Sequence, residues 1–361
     1  MRGLPLLVRV LTEPAQARGL ADADWELLLR QAHSADLICS LDAVLADAGL
    51  DASVPPQART QFAWWRTIAE RHAATVRWEV ACIRAALAVH ATPIILLKGA
   101  AYVMAGLPAA RGRLFNDIDI LVPRAALNQV EADLMMEGWA STHLDAYDQR
   151  YYRDWMHELP PMQHRRRETS IDVHHAILPP TAAAHPDSDK LRAAATALPG
   201  LDGVSIFAPA DLVLHSAVHL FHDGEFGHGL RDLLDIDRLL AHFGASPGFW
   251  PALAARASEL DVARALFYAL RYSHALLGTP VPPALQAGGT LAAGGQPPRA
   301  LLALMDALFQ RALLPDHASC DSSFTPLARF LLYIRANWLR MPPLLLARHL
   351  LHKAFLSPKS K

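Results

Sequence analysis

The run Leu96-Leu97-Lys98-Gly99-Ala100-Ala101, followed by Asn116-Asp117-Ile118-Asp119-Ile120-Leu121-Val122, decides how this chain is read. The first run reads as the end of an apolar strand, turned by a glycine into a helix. The second reads as a strand carrying two aspartates at i and i+2. Strand side chains alternate between faces, so residues two apart share one face and Asp117 and Asp119 project together. Two neighbouring carboxylates repel and cost stability unless a cation sits between them. Magnesium, or manganese in its place, takes such hard oxygen ligands and shares them with substrate phosphates. A third carboxylate, Asp172, follows in the strand-like run Ser170-Ile171-Asp172-Val173-His174. Three carboxylates around a phosphate-friendly glycine turn point to metal-assisted phosphoryl or nucleotidyl transfer.

These residues resemble the motif series of an uncharacterised bacterial nucleotidyltransferase family within the DNA polymerase β-like nucleotidyltransferase superfamily. The resemblance rests on Lys98-Gly99, Arg111 or Arg113, the Asp117-to-Val122 strand and Ile171-Asp172-Val173-His174, in that order, over roughly residues 90–180. It implies an α/β (α+β) fold: a small mixed-sheet core flanked by a helical N-terminal segment and a helical C-terminal domain. The implied reaction moves an NMP group from an NTP such as ATP to an acceptor hydroxyl and releases pyrophosphate. The acceptor, whether protein, RNA or small molecule, is left open. One departure stands out: the superfamily usually has Gly-Ser or Gly-Gly where this chain has Gly99-Ala100, so a phosphate-binding hydroxyl is missing.

Chemistry assigns provisional roles. Asp117, Asp119 and Asp172 form the expected catalytic and metal triad, with Asp172 placed to help remove the acceptor's proton. Lys98 and Gly99 sit where helix-start N–H groups and an ammonium face phosphate oxygens, and Arg111 and Arg113 can clamp a triphosphate. The alternative for Lys98-Gly99 is a strand-to-helix turn with a snorkelling lysine, and isolated loop arginines are usually solvated. Asp211, His215 and His219 recur at i, i+4 and i+8 on one face of an apolar helix, with Asp232 and Asp235 on the next. His215, His219 and Asp232 are candidates for the nucleotide pocket, which the resemblance favours modestly. A zinc-dependent hydrolase built on those helices and a non-catalytic nucleotide-binding scaffold are rival readings. Arg231 and Asp235 have the spacing of an i, i+4 ion pair.

The rest of the chain bounds these readings. It has 361 residues, 52% hydrophobic and 19% charged, which fits two or three compact units and argues against disorder. A net charge of −1 argues against nucleic-acid binding by bulk electrostatics. Three dispersed cysteines suggest no disulfide framework, and neither a signal peptide nor a membrane span is expected, so a soluble cytoplasmic protein is anticipated. The expected divisions are 1–90 (helical), 91–180 (catalytic core), 181–286 (helices completing the cleft) and 299–361 (C-terminal helices with a basic tail). Within them, strands are expected at Ile94 to Leu97 and Glu168 to Ala176. Helices are expected at 57–90, at 99–105, from Pro123, from Pro209 to about His222 and from Gly229 to about His242; region 141–165 is ambiguous. Trp64-Trp65 on the long N-terminal helix is expected to be core. Arg165-Arg166-Arg167 reads as a solvated hairpin edge that alternatively faces an anionic acceptor.

Overall fold

The computed structural model describes residues 3–143, 145–222, 224–290 and 294–342, together with Leu346. Helices α1 (Leu6–Thr12), α2 (Asp22–Ser34), α3 (Ile38–Asp47) and α4 (Pro56–Leu87) come first. Pro56 occupies the first position of α4, where its missing N–H costs nothing. Next come β1 (Ile94–Leu96), α5 (Lys98–Ala105) and β2 (Asp117–Leu121). A single 3₁₀ turn, Arg124–Ala126, separates Pro123 from α6 (Leu127–Met136), so that proline precedes the helix instead of starting it. The ambiguous region resolves into β3 (Trp139–Ser141), α7 (Ala146–Arg150), a π-helical turn at Tyr151–Trp155 and β4 (Met162–His164), and β5 (Ser170–His174) follows.

The sheet does not end there. After α8 (Ser188–Ala193) it gains β6 (Thr196–Ala197) and β7 (Val204–Ile206). The seven strands run in the order β3-β4-β5-β2-β1-β7-β6, with parallel and antiparallel pairs mixed. The helical part comprises α9 (Pro209–His222), α10 (Gly229–Gly244), α11 (Phe249–Glu259), α12 (Ala263–Leu277), α13 (Arg299–Ala312) and α14 (Thr325–Arg340). The mixed α/β architecture expected from the sequence is therefore present, with helical segments on both sides of the sheet-forming region. The basic tail Lys353 to Lys361, and most of the segment after Arg340, lies outside the described residues. Among the described residues no helix is long and apolar enough to cross a membrane.

Two features position the site. The first is register: β2 pairs in parallel with β5 so that Asp119 lies opposite Asp172 and Asp117 opposite Ser170. The second is α9, which is apolar around nearly its whole circumference and is accordingly buried between the sheet side and α10, α11 and α12. Tyr102 on α5 ties the two together, its hydroxyl 2.6 Å from Ser216 Oγ of α9. Both groups are buried, so each needs the other to replace water.

Several peripheral expectations change. Trp64 is 66% exposed and only Trp65 packs partly against the core, because α4 buries one face and Trp65, three residues after Phe62, falls on that face while Trp64 does not. Arg66 forms an ion pair with Asp42 at 2.7 Å. In the turn between β4 and β5, Arg165 and Arg166 are exposed, whereas Arg167 bonds Glu79 at 2.7 Å and lies over the rings of Trp78 and Trp139.

Gly99 owes its identity to packing. A Cβ there would meet the ring of Phe115 at 2.6 Å, and that ring is held edge-on against His72 at 4.6 Å between centroids. Gly99→Ala is therefore expected to cost about 1–3 kcal/mol through overpacking, measured as a fall in the urea midpoint with unchanged m. A midpoint equal to wild type would show that Phe115 yields freely.

Candidate active site

The parallel pairing of β2 and β5 places Asp117, Asp119 and Asp172 on one face, with one oxygen from each within 4.8 Å of the others. They line a cavity of about 200 Å³. Lys98, Glu158 and His174 join them on the sheet side, while His215, Val218, His219 and His222 close it from α9. Arg340, at the end of α14, also reaches its wall.

Lys98 is aimed by its backbone. It adopts φ +42°, a left-handed conformation that costs a side-chain-bearing residue about 1–2 kcal/mol. The residues on either side hold it there: Leu97 N–H bonds the Asp119 carbonyl at 3.0 Å, and Ala101 N–H bonds the Leu97 carbonyl as α5 begins. The result puts Lys98 Nζ 3.4 Å from Asp119 Oδ1. Strain of this kind persists where neighbouring structure over-determines it, and it concentrates at functional sites.

Asp119 is the electrostatic centre. Burial acts to raise its pKa, but the Lys98 ammonium and a 3.0 Å hydrogen bond from His174 Nε2 outweigh burial and hold the carboxyl well below its usual range. His174 is itself buried, which disfavours its charge, yet the bond to Asp119 and the nearby Glu158 carboxylate raise its pKa. Its Nδ1 lies 3.2 Å from Glu158 Oε2. Burial and repulsion from Asp119 push Asp172 up to about 7, and the same two causes raise Asp117. His215 is held well below the ordinary histidine value by burial, then by Lys98 and His219, so it faces the cavity as a neutral ring.

The residue types fit a divalent cation. An all-carboxylate donor set at this separation suits a hard ion, and the raised pKa values of Asp117 and Asp172 come from burial and then from carboxylate repulsion that such an ion would relieve. Among the described residues a second group could also hold a metal: His157, Glu158 and His174.

Not every predicted residue reaches the cavity. Lys98, the three aspartates, His215 and His219 line it together. Gly99 is buried behind Lys98 against Phe115. Arg111 pairs on the surface with Asp47 at 2.5 Å. Arg113 is buried with Asp235 at 2.9 Å and Asp232 at 3.7 Å, and Asp232 also accepts from Arg231 at 3.1 Å. Arg231 turns to Asp232 and Asp36 in place of the spacing-predicted Asp235. Asp211 is locked to Arg256 at 2.8 Å. Charge pairs of this kind tie α9 to α11 through Asp211 and Arg256, and α10 to the loop before β2 through Arg113. The α9 histidines thus face the aspartates across the cavity, and neither metal-competent group among the described residues includes them.

His157, Glu158, His174, His222 and Arg340 also line the wall, although none was assigned a role from sequence: His174 stood in the motif series and His222 after the α9 histidines. His174 carried a usable signal, standing two residues after Asp172 on a strand and so on the same face, and so did His222, three residues after His219 on α9.

The sequence profile described as uncharacterised nucleotidyltransferase matches residues 21–278, and the chain belongs to that family. No curated protein matches the chain, and no solved structure does.

The raised Asp172 has a measurable consequence. A carboxyl whose folded pKa is about 7 against an ordinary 3.8 favours the folded state below pH 4, and that contribution is lost as pH rises to 7. Metal-free wild type is therefore expected to lose stability relative to Asp172→Asn between pH 4 and pH 7. The loss is at most about 1.4 kcal/mol for each pH unit crossed, read from urea midpoints. Saturating magnesium at about pH 7.5 is expected to raise the midpoint of wild type and not that of the variant. Parallel pH profiles for the two proteins would refute the assignment.

Proposed function

We propose that this member of the nucleotidyltransferase family transfers a nucleoside monophosphate from an NTP to an acceptor hydroxyl, with release of pyrophosphate. The observation that carries the reading is the juxtaposition of three carboxylates and Lys98 in one cavity, set by the β2–β5 register and by the left-handed turn at Lys98. In the balanced reaction the acceptor oxygen forms a bond to the α-phosphorus and the α–β phosphoanhydride bond breaks. The hydroxyl proton leaves, and pyrophosphate carries away the electron pair. Bound magnesium or manganese, held by Asp117, Asp119 and Asp172, would neutralise phosphate charge and activate the hydroxyl.

The chain's own groups do the rest. Lys98 supplies the cation that faces phosphate oxygens beside Asp119. His174 fixes the Asp119 carboxylate by bonding Oδ1, leaving its other oxygen to the cavity. Asp172, on the same sheet face directly across the parallel pair from Asp119, is the carboxylate placed to receive the acceptor's proton. Neutral His215 and the neighbouring His219 offer ring edges to a sugar or acceptor hydroxyl from the α9 side. At about 200 Å³ the cavity suits the reacting phosphates, with the nucleoside extending toward its mouth.

The scaffold reading rests on the hydroxyl missing at position 100. Ala100 is only 1% exposed within the apolar core and stands off the cavity wall, so a hydroxyl there would not face the ligand. That supports turnover. A zinc hydrolase on the α9 and α10 residues finds no support, since Asp211, Asp232 and Asp235 are each bound to an arginine.

Calorimetric titration of each NTP with magnesium into wild type is expected to identify one or more donors. Asp117→Asn and Lys98→Met are each expected to weaken that binding tenfold or more, about 1.4 kcal/mol. Arg111→Ala is expected to leave it unchanged, because that side chain is a surface partner of Asp47. Failure of every NTP to bind folded wild type would overturn the reading.

A further inference from the structure

Behind the carboxylate triad, on the same cavity, lies a group of different chemistry. A ring nitrogen of His157, a carboxylate oxygen of Glu158 and a ring nitrogen of His174 fall within 4.8 Å of one another. We infer that these three side chains form a second cation site, selective for a borderline divalent ion such as zinc and distinct from the all-oxygen triad.

Backbone pairing sets the three positions. Glu158 and His174 face each other as an antiparallel bridge. On either side, Leu159 N–H bonds the Val173 carbonyl at 2.9 Å and His175 N–H bonds the His157 carbonyl at 2.8 Å. Cross-strand partners put their side chains on one face, so Glu158 and His174 meet because the backbone is paired there. The ring of His157 lies 5.2 Å from that of His174. Ligands anchored on paired backbone hold a site more accurately than loop residues do.

The donor set selects the ion. Two imidazoles and one carboxylate suit zinc, whereas magnesium takes oxygen. At zinc–ligand distances of about 2.0–2.1 Å, a tetrahedron has edges of about 3.3 Å. The Glu158 Oε2 to His174 Nδ1 separation is 3.2 Å. The remaining edges, up to 4.8 Å, ask for about 1.5 Å of side-chain adjustment.

His174 also has the support expected of a ligand. Its Nε2 bonds Asp119 Oδ1 at 3.0 Å while Nδ1 faces Glu158. A carboxylate that fixes the distal nitrogen of a histidine orients the ring and strengthens the ligating nitrogen. Asp119 would then serve both sites, through one oxygen toward the triad and through His174 toward zinc. Three protein ligands leave a fourth position open on the cavity side, where an acceptor oxygen or water could bind.

The test uses the full chain, stripped of metal by a chelator and titrated with zinc chloride in saturating magnesium, with circular dichroism recorded for every variant. One zinc per chain is expected, and zinc-edge X-ray absorption should show imidazole scattering from two rings. His157→Ala and Glu158→Gln should each weaken zinc binding about 100-fold or more, while Asp117→Asn should change it less than about threefold. Folded wild type that binds no zinc would overturn the inference. An oxygen-only shell would also overturn it, as would zinc binding that survives both His157→Ala and Glu158→Gln and disappears in Asp117→Asn, because the ion would then lie in the carboxylate triad.

Discussion

Mutual repulsion among Asp117, Asp119 and Asp172 is the constraint around which the rest of this structure is arranged. Three buried or half-buried carboxylates on one sheet face are tolerable only if something offsets their charge. The protein supplies one of them with the Lys98 ammonium from the start of α5 and a hydrogen bond from His174 of β5, and both act on Asp119 Oδ1. Each comes at a local cost: a left-handed backbone at Lys98 and a buried imidazole at His174. Asp117 and Asp172 receive less and keep elevated proton affinities. That asymmetry leaves a partly compensated anionic pocket, the electrostatic condition for capturing a divalent cation with its phosphate ligand.

Supporting structure follows from the same constraint. The sheet fixes the carboxylates through the Asp119–Asp172 register, and α9 seals the opposite side with a helix that is buried almost all round. Its interior position is maintained by polar contacts away from the cavity: Tyr102 with Ser216, and Asp211 with Arg256. Arg113 with Asp235 and Asp232 makes an equivalent tie between the loop before β2 and α10. Removing one partner of either charged pair would leave an uncompensated charge.

How much of this was legible in the sequence depended on the range of the interaction. Strand parity alone placed Asp117 and Asp119 on one face, and helical spacing placed His215 and His219 on one side of α9; both are local rules. The order of motifs brought Asp172 to the same sheet. Arg111, Arg113 and Asp232 were plausible phosphate or pocket groups by residue type, and Asp211 a plausible member of a metal site on the α9 and α10 helices. What removed them from the wall was a partner far away in the chain: Asp47, Asp235, Arg256 and the Arg113–Asp232 contact itself. No local pattern announces such pairings. Gly99 illustrates a subtler miss, since its small size admits Phe115 and the cavity turn belongs to Lys98. Glu158 and His157 come from a segment whose short strand and π-helical turn carry no clear periodicity, and only the bridge to His174 brings them to the cavity.

The division of labour among the three aspartates follows from their surroundings. When two interacting carboxyl groups are pushed apart in proton affinity, the lower one serves as a fixed charge and the higher one as the group that exchanges a proton. Asp119, bonded by His174 and faced by Lys98, stays ionised through the whole physiological range and suits permanent cation binding. Asp172 lies directly across the parallel pair from it, is raised by burial and then by the charges of Asp119 and Glu158, and has neither Lys98 nor His174 at bonding distance. One register therefore does two things: it brings the carboxylates close enough to share an ion, and it makes Asp172 sensitive to whatever occupies the site. A divalent cation arriving beside Asp119 would lower the proton affinity of Asp172 through the same short separation that raises it.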